Sequence, residues 1–174
     1  MKQKALFLDR DGILNVDKAY VYKFEDINWV DGIFDLIAYA NNHGFLVIVL
    51  TNQSGVAQGM YKEEDVIKLH QQMNEFLRAK KLKVDDWFYC TEYDSPRRKP
   101  RPGMMIEARD KYNIDLIKSF MVGDKVTDVL DIKDGPQTFL LQGNYPLDAL
   151  PGDKKVEVFS SLHDIQKRLD NVSL

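Results

Sequence analysis

Along most of the chain, short apolar runs alternate with stretches whose apolar residues recur at helical spacing. Lys4–Leu8 predicts a buried strand ending in the polar loop Asp9-Arg10-Asp11-Gly12. Asp31–His43 places Ile33, Phe34, Ile37 and Ala40 on one helical stripe, with Gly44 positioned as a C-terminal cap. Phe45–Leu50 is apolar without alternation, the pattern of a parallel strand covered on both faces. Lys62–Lys81 carries Val66, Leu69, Met73, Phe76 and Leu77 at helical spacing. Trp87–Tyr89 predicts a short strand, and Pro102–Tyr112 a short helix with Met105, Ala108 and Tyr112 on one face. Phe120–Val122 and Thr138–Leu141 predict two further strands, separated by a helical turn or two around Val126–Lys133. Ser161 and Asp164 form a capping-box pair that opens a last helix to about Leu169.

This alternation predicts an α/β fold, a doubly wound, Rossmann-like parallel sheet with helices on both faces. Ligands of such sheets sit at the carboxyl ends of the strands, so the chemistry is expected at that edge. With 174 residues and no Pro/Gly/Ser-rich linker, residues 1–174 are expected to form a single domain. A composition of 44% hydrophobic and 29% charged residues excludes disordered and fibrous classes. The net charge of −3 argues against a dedicated nucleic-acid binder, which carries a basic face. Cys90 stands alone, which excludes an intrachain disulfide and a cysteine-based metal cluster. The apolar run at the start is too short for a signal peptide, and Phe45–Leu50 is too short for a membrane span. A cytoplasmic monomer with no membrane partner is the expectation.

Four junctions at the same edge of the predicted sheet are unusually polar: Asp9–Gly12, Thr51–Gly55, Arg97–Arg101 and Gly123–Asp128. Each alone reads as a solvated turn or a helix cap. Together they supply an Asp pair, a hydroxyl-amide loop, a lysine and a further Asp, the parts phosphoryl transfer needs. A carboxylate can split phosphate-ester hydrolysis into two steps through an aspartyl-phosphate. It is repelled by the phosphate, by about 4 kcal/mol per unit charge at 4 Å and an effective dielectric near 20. A lysine and a divalent ion remove that repulsion, and Mg²⁺ prefers carboxylate oxygens. Asp9 is thus the candidate nucleophile and Asp124 a metal ligand. The turn at Gly12 must bring Asp11 back as acid and base. Thr51 and the Asn52 amide are the candidate phosphoryl-oxygen donors, and Lys99 neutralises developing charge.

In this order the motifs resemble the haloacid dehalogenase superfamily of aspartate-nucleophile phosphatases. The strings DRDGILNVDKAYV, VDG, LTNQSGVAQG, RKPRPGM and MVGDKVTDV are similar to its heptose-bisphosphate and histidinol-phosphate phosphatase branch, over residues 4 to about 130. The resemblance implies Asp9 as nucleophile, Asp11 as acid/base, and Mg²⁺ on Asp9, Asp124 and the backbone carbonyl of Asp11. It implies substrate contacts from Asp17, Tyr20, Thr51, Asn52, Gln53, Ser54, Arg98, Lys99 and Lys125, with Asp128 supporting the metal site from behind. The implied substrate is the 7-phosphate of a heptose 1,7-bisphosphate, on the route to activated heptose for lipopolysaccharide and other surface polysaccharides. Histidinol phosphate, another small phosphometabolite, a nucleic-acid 3′ end and non-catalytic phospho-ligand binding are the alternatives.

Ile13 stands where the branch carries Thr, and Ala19 where it carries Gly. Cys90 is all that remains of a cysteine-histidine zinc loop before the RKP string, so no zinc is expected. The gaps after Asp11 and after Thr51 leave no room for a cap domain, so the site should be open beneath a Val16–Trp29 flap. Tyr20, Tyr22, Phe24 and Trp29 of that flap read first as packing and second as pocket lining. His43, His70 and His163 read as isolated, non-catalytic residues, two of them on helix surfaces.

Overall fold

The computed structural model describes residues 1–172. In β1 (Lys4–Leu8), Leu6 and Leu8 enter one apolar layer while Ala5 and Phe7 enter the other. Burial on both faces is what an unbroken apolar run requires. β2 (Phe45–Asn52) divides in the same way, with Val47 and Val49 on one side and Ile48 and Leu50 on the other. Four more strands complete the sheet: β3 (Asp86–Cys90), β4 (Phe120–Gly123), β5 (Gln137–Leu141) and β6 (Val156–Phe159). All neighbours pair in parallel, in the order β3-β2-β1-β4-β5-β6. The chain winds outward from β1 to β3 and then returns to β4, so its direction reverses between β1 and β4. A crevice opens at such a switch point, and it places the ends of β1, β2 and β4 around one space.

Helices cover both faces, as expected. α1 (Ile33–Asn42), α2 (Glu63–Ala79) and α4 (Leu162–Val172) contribute Leu36, Leu69, Met73 and Ile165 to the layer that holds Leu6. α3 (Gly103–Tyr112) covers the opposite face through Met104, Met105 and Ala108. Gly44 ends α1 at φ 72°, a left-handed cap that costs glycine least. The Ser161 hydroxyl accepts the Asp164 N–H at 3.1 Å, as the capping pair predicts.

Three local expectations change. The helical segment at Val126–Lys133 shortens to a single 3₁₀ turn, Val126–Asp128. β2 runs two residues further than its apolar run, because Thr51 and Asn52 pair with Tyr89 and Cys90. β6 was not expected. It is a part-exposed edge strand with one charged residue, Glu157, and an exposed Val158, and its short apolar content gives no periodic signal.

Between β1 and α1 the chain forms a flap, closed by an antiparallel bridge between Asn15 and Trp29. Trp29, Phe34, Phe24 and Phe76 pack ring on ring beneath it, with Trp29 and Phe76 stacked at 5.2 Å. Tyr22 stacks on Tyr61 at 5.2 Å. Three of the four flap rings, Tyr22, Phe24 and Trp29, therefore anchor the flap, and Tyr20 of that set extends to a polar partner, Gln58. No helix among the described residues is long and apolar enough to cross a membrane.

Candidate active site

The chain leaves β1 at Asp9, whose backbone N–H still donates to Val122 of β4 at 3.0 Å. It then tightens at once: the Arg10 carbonyl accepts from Ile13, Leu14 and Asn15, and Gly12 takes φ 95°. The expected turn is there, and Asp11 lies close enough for its charge to act on Asp9.

Asp9 is 4% exposed and forms an ion pair with Lys99 Nζ at 3.0 Å. Lys99 is equally buried and donates to Asp128 Oδ1 at 2.6 Å. The second oxygen of Asp128 accepts the backbone N–H groups of Asp124 at 3.0 Å and Lys125 at 3.1 Å. Asp9, Asp124 and Asp128 each offer an oxygen within 4.8 Å of the others. Both oxygens of Asp128 already have partners, whereas Asp124 Oδ1 is buried with no hydrogen-bond donor and has only Lys125 Nζ near it, at 4.0 Å. A buried carboxylate oxygen without a donor is costly unless a cation completes it. The donor set is all oxygen, which suits a hard divalent ion. Asp9 and Asp124 therefore fit as direct ligands, and Asp128 fits behind them, holding Lys99 and the Asp124 backbone.

The electrostatics agree. Burial, reinforced by Asp128, raises the Asp9 carboxyl to about 6, although Lys99 and Lys125 pull it back. Burial and the neighbouring Asp9 charge raise Asp124 to about 8. Burial would lower Lys99, but Asp128 and Asp9 outweigh it and hold its ammonium charged. Acidic groups pushed up together in a crevice mark a place short of positive charge.

Asp11 is the exception. Its burial opposes ionisation, yet the Arg10 charge and hydrogen bonds from Asn15, Arg10 and Gln53 bring its carboxyl below the usual range. Thr51 is 1% exposed at the end of β2, and its hydroxyl accepts Gln53 Nε2 at 2.8 Å. The same nitrogen donates to Asp11 Oδ2 at 3.0 Å, and Tyr61 donates to Gln53 Oε1 at 2.7 Å. Gln53, expected among substrate contacts, thus has its whole amide engaged with protein. The side-chain amide of Asn52, expected to hold phosphoryl oxygens, is paired with the Lys99 backbone in both directions, at 3.0 Å each. It fixes the height of Lys99 relative to β2.

The outer contacts form a second ring. Asp17 accepts from Tyr145 at 2.7 Å and lies 3.3 Å from Lys125 Nζ, which in turn sits 4.6 Å over the Tyr145 ring. Tyr20 donates to Gln58 at 2.9 Å, joining the flap to the loop that contains Ser54. Arg98 lies over Tyr93 with Nη1 buried and unpartnered. Tyr145 was not anticipated, because it lies in a loop without periodicity and outside the four polar junctions. His70 needs correction too. It is 5% exposed on the inner side of α2, in contact with Arg10.

A parallel sheet with an aspartate at the end of β1, a hydroxyl at the end of β2, a buried lysine and an acidic pair after β4 defines a haloacid dehalogenase-like phosphatase. Comparison with known proteins places it more closely. Residues 6–142 match the family model described as polynucleotide kinase 3 phosphatase. A D-glycero-alpha-D-manno-heptose-1,7-bisphosphate 7-phosphatase from Campylobacter jejuni is 43% identical over 130 residues, 74% of this chain and 76% of its own. A D-glycero-beta-D-manno-heptose-1,7-bisphosphate 7-phosphatase from Pasteurella multocida is 35% identical across 95% of this chain and 96% of its own. Among solved structures, the D,D-heptose 1,7-bisphosphate phosphatase of B. bronchiseptica, complexed with magnesium and phosphate, superposes with a TM-score of 0.83 at 28% identity, covering 97% of this chain and 98% of that one. The chain belongs to the family of the heptose-1,7-bisphosphate 7-phosphatases.

Proposed function

We propose that this protein removes the 7-phosphate of a D-glycero-D-manno-heptose 1,7-bisphosphate through an aspartyl-phosphate on Asp9. The observation that carries the reading is the buried Asp9–Lys99–Asp128 chain beside Asp124, whose free Oδ1 lacks a donor. Mg²⁺ fits Asp9 and Asp124, with the Asp11 carbonyl as the further ligand that the family resemblance implies, and when bound it would neutralise the phosphate charge facing the nucleophile.

The chain's own groups perform the remaining roles. Lys99 shields Asp9 from the phosphoryl group it approaches and offsets charge on the transferring oxygens. The Thr51 hydroxyl, turned by Gln53, is available to donate to one of those oxygens. Asp11 protonates the departing sugar oxygen, then accepts a proton from the water that attacks the aspartyl-phosphate. Asp17, Tyr20, Ser54, Arg98 and Lys125 ring the mouth, and the cations among them suit the second phosphate of a bisphosphate. No zinc is required, since Cys90 offers one buried thiol. A single domain, a monomer and a cytoplasmic location complete the proposal. The relatives named above are of both anomer types, so the anomer is left to the assay.

The test is phosphate release with Mg²⁺ and with EDTA. The panel is both anomers of heptose bisphosphate, fructose 1,6-bisphosphate, histidinol phosphate and a 3′-phosphorylated oligonucleotide. The expected result is Mg²⁺-dependent release with a preference of about a hundredfold or more for heptose bisphosphate, roughly 2.8 kcal/mol of discrimination. Asp9→Asn should abolish turnover and leave the fold intact. A peak on another substrate retires the heptose assignment, and turnover by Asp9→Asn retires the covalent route.

A further inference from the structure

Arg10 is fully buried, although it carries a charge that cannot be neutralised. Each nitrogen of its fork has a partner. Nε and Nη2 donate to Asp11 Oδ1 at 3.3 and 3.0 Å, Nη2 also donates to the Val21 carbonyl at 2.7 Å, and Nη1 lies 3.2 Å from His70 Nε2. A guanidinium has no acceptor, so His70 Nε2 must accept this bond, and the ring proton sits on Nδ1. The ring is clamped in that role by stacking on Trp87 at 4.9 Å and by the edge of Tyr89 at 5.9 Å. His70 comes from α2, Val21 from the flap and Asp11 from the loop after β1, so one guanidinium joins three separate segments.

The consequence falls on Asp11. Its Oδ1 accepts three bonds, two from Arg10 and one from Asn15 Nδ2 at 3.0 Å. Its Oδ2 accepts one, from the Gln53 nitrogen that also reaches Thr51. The two oxygens are thereby made different, and the one with spare capacity is on the side of the phosphoryl-binding hydroxyl. We infer that His70 and Arg10 are positioning residues that lock Asp11 Oδ1, so that Oδ2 is the oxygen that carries protons in the reaction. In the first step Asp11 Oδ2, which takes up a proton as the anionic phosphate ester comes beside it, passes that proton to the bridging ester oxygen as its bond to phosphorus breaks and the Asp9 oxygen–phosphorus bond forms. In the second, Oδ2 takes a proton from water as the water oxygen bonds to phosphorus and Asp9 is released.

This inference rests on the phosphatase reading above, and the experiment separates the two. A sugar alkoxide needs a proton to leave, whereas p-nitrophenolate leaves without one. The ratio kcat/KM reports only steps through the first phosphoryl transfer, so the two substrates isolate the acid role. His70→Phe keeps the stack on Trp87 but offers Arg10 no acceptor. It should lower kcat/KM for the preferred sugar phosphate about ten- to a hundredfold, the scale of a misplaced acid, and that for p-nitrophenyl phosphate less than about threefold. His70→Gln, whose amide oxygen falls near the position of Nε2, should return the sugar phosphate to within about threefold of the parent. If His70→Phe does not fold, Arg10→Lys keeps a buried cation without the fork and must show the same selective loss. Equal losses on both substrates, no loss on either, or no rescue by glutamine overturns the inference. An unsubstituted protein that releases phosphate from neither substrate overturns the phosphatase reading itself.

Discussion

A methyl group at residue 12 would disable this site. Gly12 takes φ 95°, and a Cβ there would lie 2.0 Å from Asp124 Oδ2 and 2.4 Å from its Cγ. The left-handed backbone costs an L-residue about 1–2 kcal/mol, before the acidic side chain is moved at all. Gly12→Ala is therefore expected to lower the melting temperature by several degrees and to abolish Mg²⁺-dependent turnover, read by thermal denaturation and phosphate release on one preparation. Retention of full activity would show that Asp124 need not stand where it does. At this scale much of the site was legible. Asp9, Asp11, Thr51, Lys99 and Asp124 announce themselves as acids, a hydroxyl and a lysine at strand ends, and the fold brings them together. The division of labour was not legible. Whether Asp124 or Asp128 keeps a free oxygen depends on which backbone N–H groups point at each, and a string carries no such information. The same holds for Gln53 and Asn52, whose amides face protein, and for His70, whose burial follows from the loop that Arg10 anchors.

Among the elements, the flap and the β5–β6 loop meet over the crevice. Asp17 of the flap accepts the Tyr145 hydroxyl at 2.7 Å, and Lys125, after β4, lies between them. Losing one hydrogen bond to a charged acceptor at a part-exposed position is worth about 1–2 kcal/mol. Tyr145→Phe should accordingly raise KM for the bisphosphate about five- to thirtyfold with kcat little changed, because the bond orders the mouth and touches no reacting atom. Steady-state kinetics decide it, and a fall in kcat at constant KM would place Tyr145 closer to the chemistry. The elements themselves were legible wherever burial wrote a period into the sequence. β1 and β2 carry unbroken runs because the core takes both of their faces, and α1, α2 and α4 carry clean helical stripes because it takes one face of each. β6 was lost because an edge strand with half its surface wet needs no apolar run. The residues Val126–Lys133 shortened because Asp128 turns inward to Lys99, which a continuing helix would not permit.

At the level of the whole molecule, the acidic crevice ties stability to pH and to metal. In the metal-free protein Asp9 titrates near 6 and Asp124 near 8, against 3.8 for an ordinary aspartate. Between about pH 4 and pH 8 the folded chain therefore holds protons that the unfolded chain has already released. Stability that is complete below the lower value is lost as pH rises through the folded values. A divalent ion in the crevice takes over the role of those protons, so its affinity should climb across the same window. In EDTA the melting temperature should thus decline from about pH 5 to about pH 8.5, and the stabilisation by a fixed excess of Mg²⁺ should grow over that range. Asp124→Asn removes the larger of the two raised groups, and with it most of the EDTA slope and most of the Mg²⁺ effect. A parent and an Asp124→Asn protein with the same slope in EDTA would mean that the repulsion between Asp9 and Asp124 does not govern the pH response. The Asp9–Asp128 contact across Lys99 would then be the place to look, since it is the other junction where buried acids share one cation.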